Sequence, residues 1–236
     1  MKYIRPGLFL LYIAILRLKF WYLTKTASQE TIDAFADGCA KKWSLVMNES
    51  FKVKSNIDGL ENLPEGNCLF VANHQGLFDI VEMLAMIPKP MGFVAKIEYE
   101  HTPIISYWMK NIHCVFLDRE NPREAIKTFN KASEYLKAGY SITLFAGGTR
   151  TRESTVGEFK KGSLKIASKT PHIPIVPVAI EGTYKAFEEK NSFRSAKVKM
   201  KVGKAIYQDT LSKEDKKDLS AYCENIVKEL YSDLTK

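Results

Sequence analysis

The stretch "NHQGLFD" places His74 five residues ahead of Asp79, directly after the apolar run "CLFVA". On a single helix, five residues sweep roughly 500°, which leaves the two side chains about 140° apart. The pair therefore meets only if one member lies off the helix. A strand that ends at Asn73–His74, followed by a helix starting near Gly76 or Leu77, satisfies this: Asp79 then sits in the first helical turn, where the helix dipole favours a carboxylate. From there it can hold one imidazole nitrogen and leave the other as a base. No protein nucleophile accompanies the pair, so it suits a hydroxyl that arrives with the substrate and attacks an acyl carbon. The same spacing also fits a histidine that merely caps a helix, and the interval alone leaves both readings open.

The surrounding elements decide what can reach such a base. "FKVKS" and "CLFVA" read as strands, "GLFDIVEMLAMI" as a helix, "MGFVAK" as a strand, "TPIISYWMKN" as a short helix and "CVFLDR" as a strand. A helix over "REAIKTFNKASEYLKA" is delimited by Asn121 as N-cap, Pro122 at the first position and Gly139 just past its end. "YSITLFAGG" is the next strand, followed by a polar loop, a helix from about Gly162, the strands "IPIVPVAI" and "KVKMKVG", and a closing helix from about Lys213. Apolar strands alternating with helices predict an α/β fold: a mostly parallel sheet flanked by helices, with ligands beyond the carboxyl ends of the strands.

Composition narrows the function classes. The chain has 236 residues, enough for one substantial core, and 35 Lys+Arg against 27 Asp+Glu, a net charge of +8. That excess favours anionic partners such as nucleic acid, anionic lipid or phosphorylated small molecules. Nucleic acid is disfavoured because the lysines are scattered or helical and no Gly-aromatic RNA-binding signature is present. A hydrolase is disfavoured by the lack of a G-x-S-x-G elbow. Cys39, Cys68, Cys114 and Cys223 lie far apart, with no C-x-x-C pair and no histidine at ligand spacing, so no metal site or disulfide framework is expected, and free thiols suit a reducing compartment. His101 and His172 read as ordinary surface or packing residues.

At the N-terminus, "GLFLLYIAIL" is apolar enough for a membrane, yet Arg17 and Lys19 interrupt it before the roughly 20 residues that a spanning helix needs. Phe20, Trp21 and Tyr22 among basic residues are what an interfacial helix presents at headgroup depth, which predicts peripheral or monotopic attachment to an anionic membrane surface. Its apolar stripe is imperfect, since Arg5 and Lys19 share a face while Arg17 lies nearly opposite. A second helix, about Ser28 to Ser50, carries Ile32, Phe35, Ala36, Cys39, Ala40, Trp43, Val46 and Met47 at helical spacing. That stripe predicts packing on the core, with "TASQ" as a capping box.

Four blocks in order, "NHQGLFD", "HCVFLDR", "LFAGGTR" and "VPVAI", resemble those of the glycerophospholipid acyltransferases, the 1-acylglycerol-3-phosphate acyltransferase family, over roughly residues 52 to 185. The first and last blocks match fully. The resemblance implies a transfer of a fatty acyl group from a thioester, acyl-CoA or acyl-ACP as co-substrate with no further cofactor, to the free hydroxyl of a lysophospholipid acceptor. It implies that His74 is the general base, that Asp79 orients it, that Arg119 and Arg150 bind the acceptor phosphate, and that Gly148 and Thr149 shape that loop. An arginine fork suits a phosphate dianion, and small residues let backbone N–H groups approach it. Lys96, after "GFVA" at a strand end, is a further candidate contact for an anionic substrate. The resemblance also implies a membrane-associating helical segment over 1–50, an acyltransferase domain over 51–236, and a place on the cytoplasmic face of a membrane. Two positions depart from the pattern. Ala146-Gly147 replaces the family's Pro-Glu, which removes a carboxylate expected near the acceptor, and His113 replaces a customary glycine.

Overall fold

The computed structural model describes the backbone of residues 4–236 and side chains from residue 14 onward. The expected positions of Arg5 and of the apolar side chains before residue 14 lie outside that range. Helices α1 (Ile4–Thr26) and α2 (Gln29–Phe51) precede β1 (Lys54–Asp58), β2 (Leu69–Ala72), α3 (Phe78–Met86), β3 (Gly92–Lys96), α4 (Pro103–Asn111) and β4 (Val115–Leu117). The chain continues through α5 (Pro122–Lys137), β5 (Ile142–Phe145), α6 (Lys165–Ser168), β6 (Ile175–Glu181), β7 (Lys197–Val202), α7 (Lys213–Lys217) and α8 (Leu219–Thr235).

The strands form one sheet in the order β1-β7-β6-β2-β5-β3-β4. β6, β2, β5, β3 and β4 run parallel to one another. β7 is antiparallel to β6, and β1 is parallel to β7, so the far edge is reversed. This is the expected α/β sheet flanked by helices. From β2 the chain crosses to β3 on one side, and from β5 it crosses to β6 on the other. The crevice at the carboxyl ends of these strands is where an open α/β sheet binds ligands.

Period-two alternation splits the core into two layers. Phe70 and Ala72 of β2 face a cluster with Phe78, Val81 and Met83 of α3 and Ala36 of α2. Leu69 and Val71 face the other cluster, with Ala132 and Leu136 of α5, Ile166 of α6 and Val227 of α8. A strand buried on both faces has no polar positions to alternate, which is why "CLFVA" reads as an unbroken apolar run.

Helix ends follow local chemistry. Asn121 caps α5, its side chain accepting from Arg123 N and Glu124 N, and Gly139 takes φ 96° just beyond the helix. α2 is capped by Ser28, which accepts from Thr31 N at 3.4 Å, while Thr26 instead donates to Tyr22 O; the "TASQ" capping box does not form. The strand expected over "FKVKS" starts later, at Lys54. Phe51 is better placed as a helical residue, stacked on Phe193 at 4.3 Å and edge-on to Phe78 at 6.0 Å, and Lys52 ends the helix in the left-handed region at φ 55°. The helix expected from Gly162 is a single short turn, and the closing helix is broken where Asp218 ends α7 and accepts from Ala221 N to cap α8.

α2 meets the core along Ala36, Ala40, Ser44 and Met47, and Trp43 and Val46, expected to pack inward, flank that line and are exposed. α1 is fastened mainly by Phe20, buried against Phe35 of α2 and against Tyr107 and Trp108 of α4. Arg17 lies over the Tyr107 ring and Lys19 over Phe35. Ile15, Leu18, Trp21 and Tyr22 remain largely exposed. Among the described residues, no helix is long and apolar enough to cross a membrane.

Candidate active site

β2 ends where its backbone stops pairing and a side chain takes over. Asn73 donates Nδ2 to Ile180 O at 2.8 Å and accepts from Ile180 N at 2.9 Å, so the ladder to β6 is continued by an amide that mimics backbone. The main chain is thereby released to turn at His74 and enter α3, with Asp79 in the first turn.

His74 Nδ1 lies 2.5 Å from Asp79 Oδ2. The same oxygen accepts from Gln75 N at 2.7 Å and Gly76 N at 3.0 Å, and Oδ1 accepts from the Thr183 hydroxyl. Asp79 and Thr183 are fully buried, whereas the His74 side chain keeps 12% of its surface. Two of these donors are backbone N–H groups, so the ionised carboxylate is the form that satisfies all of them. Nδ1 then carries the proton, which leaves Nε2 as the unprotonated nitrogen of the neutral ring. The imidazole plane is fixed by stacking on Phe145 at 4.1 Å and 14°.

A second layer holds the turn itself. Thr151 N and Arg152 N donate to His74 O and Gln75 O, at 2.9 and 3.1 Å, which ties the loop after β5 to the histidine. The buried Gln75 side chain accepts from Gly182 N and donates to Glu181 and to Tyr231 OH of α8. Burial would raise the Glu181 carboxyl, but hydrogen bonds from Tyr231, Gln75 and Ser154 bring it below its ordinary value.

The expected cations are distributed along the same edge. Arg150 follows β5, adjacent to β2. Its Nη1 donates to Glu188 Oε1 at 3.1 Å and its Nη2 to Tyr99 OH at 3.1 Å. Arg119 follows β4, three strand spacings or roughly 14 Å from β2, so it can approach His74 only by the length of its side chain. Partial burial lowers the Arg119 pKa, an effect opposed by the nearby Glu98. Lys96 is paired with Glu98 at 2.8 Å, both exposed. Arg150 thus contacts Tyr99 and Arg119 lies near Glu98, adjacent residues of the 3-10 turn Ile97–His101.

Gly148 takes φ 73°, a conformation that disfavours side chains, and its N–H closes a turn onto Phe145 O at 2.9 Å. Thr149 beside it is exposed. A cleft of ≈ 590 Å³ runs past Gly147, Thr149, Thr151 and Lys160. Ala146 N donates to Ala72 O at 3.3 Å, a bond that a proline here would lose, and a Cβ at Gly147 would lie 3.2 Å from Glu158 O. The departure from Pro-Glu is therefore built into the local backbone. His113 sits at φ 60°, the left-handed conformation that explains the customary glycine, and its ring is held 3.6 Å from that of Tyr140 and 3.4 Å from Asp33 of α2.

A mostly parallel α/β sheet with a carboxylate-held histidine at its ligand-binding edge has the form of the acyltransferases, and the chain belongs to that family: the Acyltransferase family model matches residues 54–181. It is similar to a chloroplastic 1-acyl-sn-glycerol-3-phosphate acyltransferase of Brassica napus, 36% identical over 148 residues, covering 62% of this chain and 42% of that protein. A protein of the same description from Saccharomyces cerevisiae is 31% identical over 173 residues, covering 72% of this chain and 57% of the relative. The chain thus spans about half the length of these relatives. Among solved structures, it resembles the 1-acyl-sn-glycerophosphate acyltransferase PlsC of Thermotoga maritima, with a TM-score of 0.78, 27% identity, and coverage of 95% of this chain and 97% of that one.

Thr183, Tyr99 and Glu188 are among the site residues that the sequence did not reveal. Thr183 follows the fully matched "VPVAI" block closely, and its place just past a strand end was the available signal. Tyr99, in the 3-10 turn Ile97–His101, and Glu188, in a turn beyond β6, gave none.

Proposed function

We propose that the protein is a 1-acylglycerol-3-phosphate acyltransferase. It moves a fatty acyl group from an acyl thioester, on coenzyme A or acyl carrier protein, to the free hydroxyl of a lysophospholipid, giving phosphatidic acid. The observation that carries this reading is the His74–Asp79 contact at 2.5 Å, with two backbone N–H groups on the same carboxylate oxygen. His74 Nε2 takes the proton of the acceptor hydroxyl as its oxygen attacks the thioester carbonyl. The tetrahedral intermediate collapses, the C–S bond breaks, and the imidazolium returns the proton to the leaving thiolate. Asp79 keeps the imidazole in the right tautomer and stabilises the transient cation. Arg150 and Arg119 hold the acceptor phosphate, with Gly148 and Thr149 shaping the adjacent loop and Lys96 adding positive charge.

The exposed apolar side chains of α1 and α2 support attachment to one face of a membrane, where the acceptor resides. The test of the reaction is thiol release from acyl-CoA or acyl-ACP with and without lysophosphatidate. Release that depends on the lysolipid and yields phosphatidic acid is expected. Release that is equally fast without it would identify a thioesterase, and no release would leave only a lipid-binding module.

A further inference from the structure

The loop after β5 lacks the carboxylate that the family resemblance leads one to expect, and a buried carboxylate from another segment bonds Arg150 of that loop. Glu188, in the irregular segment beyond β6, is 4% exposed at its side chain and directs Oε1 to two donors: Leu77 N at 2.7 Å and Arg150 Nη1 at 3.1 Å. Leu77 is the N-cap of α3, two residues before Asp79. Glu188 Oε2 is buried without a hydrogen-bond partner and lies against Gly76, where a Cβ would come within 2.5 Å of it. One carboxylate thus touches the entry to the catalytic helix and the guanidinium assigned to the acceptor phosphate, and only a glycine at position 76 leaves room for it.

We propose that Glu188 is a positioning residue for acceptor binding, fixing Arg150 relative to the His74–Asp79 pair. This rests on the reading of Arg150 as a phosphate ligand. A guanidinium has five N–H donors; Glu188 and Tyr99 engage one on each terminal nitrogen, and the remaining donors stay available for a phosphate. An arginine without these restraints must be ordered each time the acceptor binds. Glu188 also places a negative charge beside the phosphate site, and that charge alone weakens binding of a dianion. The two effects have opposite signs, which makes the substitution informative: loss of positioning raises the acceptor KM, whereas relief of repulsion lowers it.

The experiment is steady-state kinetics of the full chain with acyl-CoA and lysophosphatidate for Glu188→Ala, Glu188→Gln and Arg150→Ala, with melting temperatures as folding controls. Glu188→Ala is expected to raise the acceptor KM about ten-fold while leaving the donor KM unchanged. Glu188→Gln keeps a carbonyl oxygen for both Leu77 N–H and Arg150, and is expected to recover the acceptor KM to within about three-fold of the parent. If Glu188→Ala does not fold, Gly76→Ala displaces the same carboxylate and should raise the acceptor KM in the same way. An acceptor KM that is unchanged or lowered, or one that rises in step with the donor KM, overturns the proposal. If Arg150→Ala raises the acceptor KM and neither Glu188→Ala nor Gly76→Ala does, positioning alone is refuted; if Arg150→Ala has no effect, the phosphate assignment falls with it.

Discussion

At the carboxyl end of β2, Asp79 is fully buried and accepts hydrogen bonds from His74, Gln75, Gly76 and Thr183, whereas on α1 Leu18, Trp21 and Tyr22 are 58–65% exposed with nothing covering them. The edge around Asp79 is completed by the chain itself. The N-terminal pair is not: α1 is fastened mainly through Phe20, and Trp43 and Val46 of α2 stay exposed. Groups that are fully satisfied within the fold work by being fixed, and groups left unsatisfied there are suited to a surface outside it. The two regions should therefore fail independently, one affecting turnover and the other affecting attachment and stability.

A large effect that would sharpen this contrast is at Asp79. An asparagine carries no negative charge to stabilise the imidazolium that forms at His74, so Asp79→Asn is expected to lower kcat roughly 10- to 100-fold, measured as lysolipid-dependent thiol release, with vesicle binding unaltered. A parallel loss of vesicle binding would mean that the regions are coupled. A smaller effect is expected at the other region. Each Lys or Arg near an anionic surface contributes about 1 kcal/mol that salt screens, while the burial of Leu18, Trp21 and Tyr22 is barely salt-sensitive. Intact protein should bind anionic vesicles more tightly than neutral ones, weaken but persist in high salt, and be released in large part by deletion of residues 1–25. Complete release by salt alone would show that no apolar side chain inserts.

The smallest effect concerns Asp37, whose carboxyl is pushed from 3.8 to about 6 by burial and by the neighbouring Asp33. The folded state holds this proton more tightly than the unfolded chain, so stability is full below pH 4 and is lost as pH rises through about 6. After discounting for partial solvent screening, about 1–2 kcal/mol is involved. Asp37→Asn should raise the melting temperature by about 2–8 °C at pH 8 and leave it unchanged at pH 4, with kcat unaffected. Equal stabilisation at both values would show that its charge is not the cause.

What was legible in the sequence is what is local. The His74–Asp79 interval, the Asn121 cap with Pro122 and Gly139, and the unbroken apolar run of β2 each carry their physics within a few residues. The Thr183 hydroxyl on Asp79 spans 104 residues and the Glu188 carboxylate on Leu77 spans 111, so neither leaves a mark in either neighbourhood. The displaced start of β1 has the same origin, since Phe51 remains helical for partners at Phe78 and Phe193 that lie far along the chain. The reversed β7 edge likewise follows from pairing with β6 and β1, and "KVKMKVG" alternates equally well in either direction.

The central claim is that His74 acts as the general base from a site that is fully formed before substrate arrives. The direct test is the kcat of His74→Ala in lysolipid-dependent thiol release, with acceptor KM, melting temperature and vesicle binding measured on the same preparation. The account predicts a fall in kcat of about 10²- to 10⁴-fold with the other three unchanged. Turnover equal to that of the parent would contradict it and return His74 to the role of a helix-capping residue.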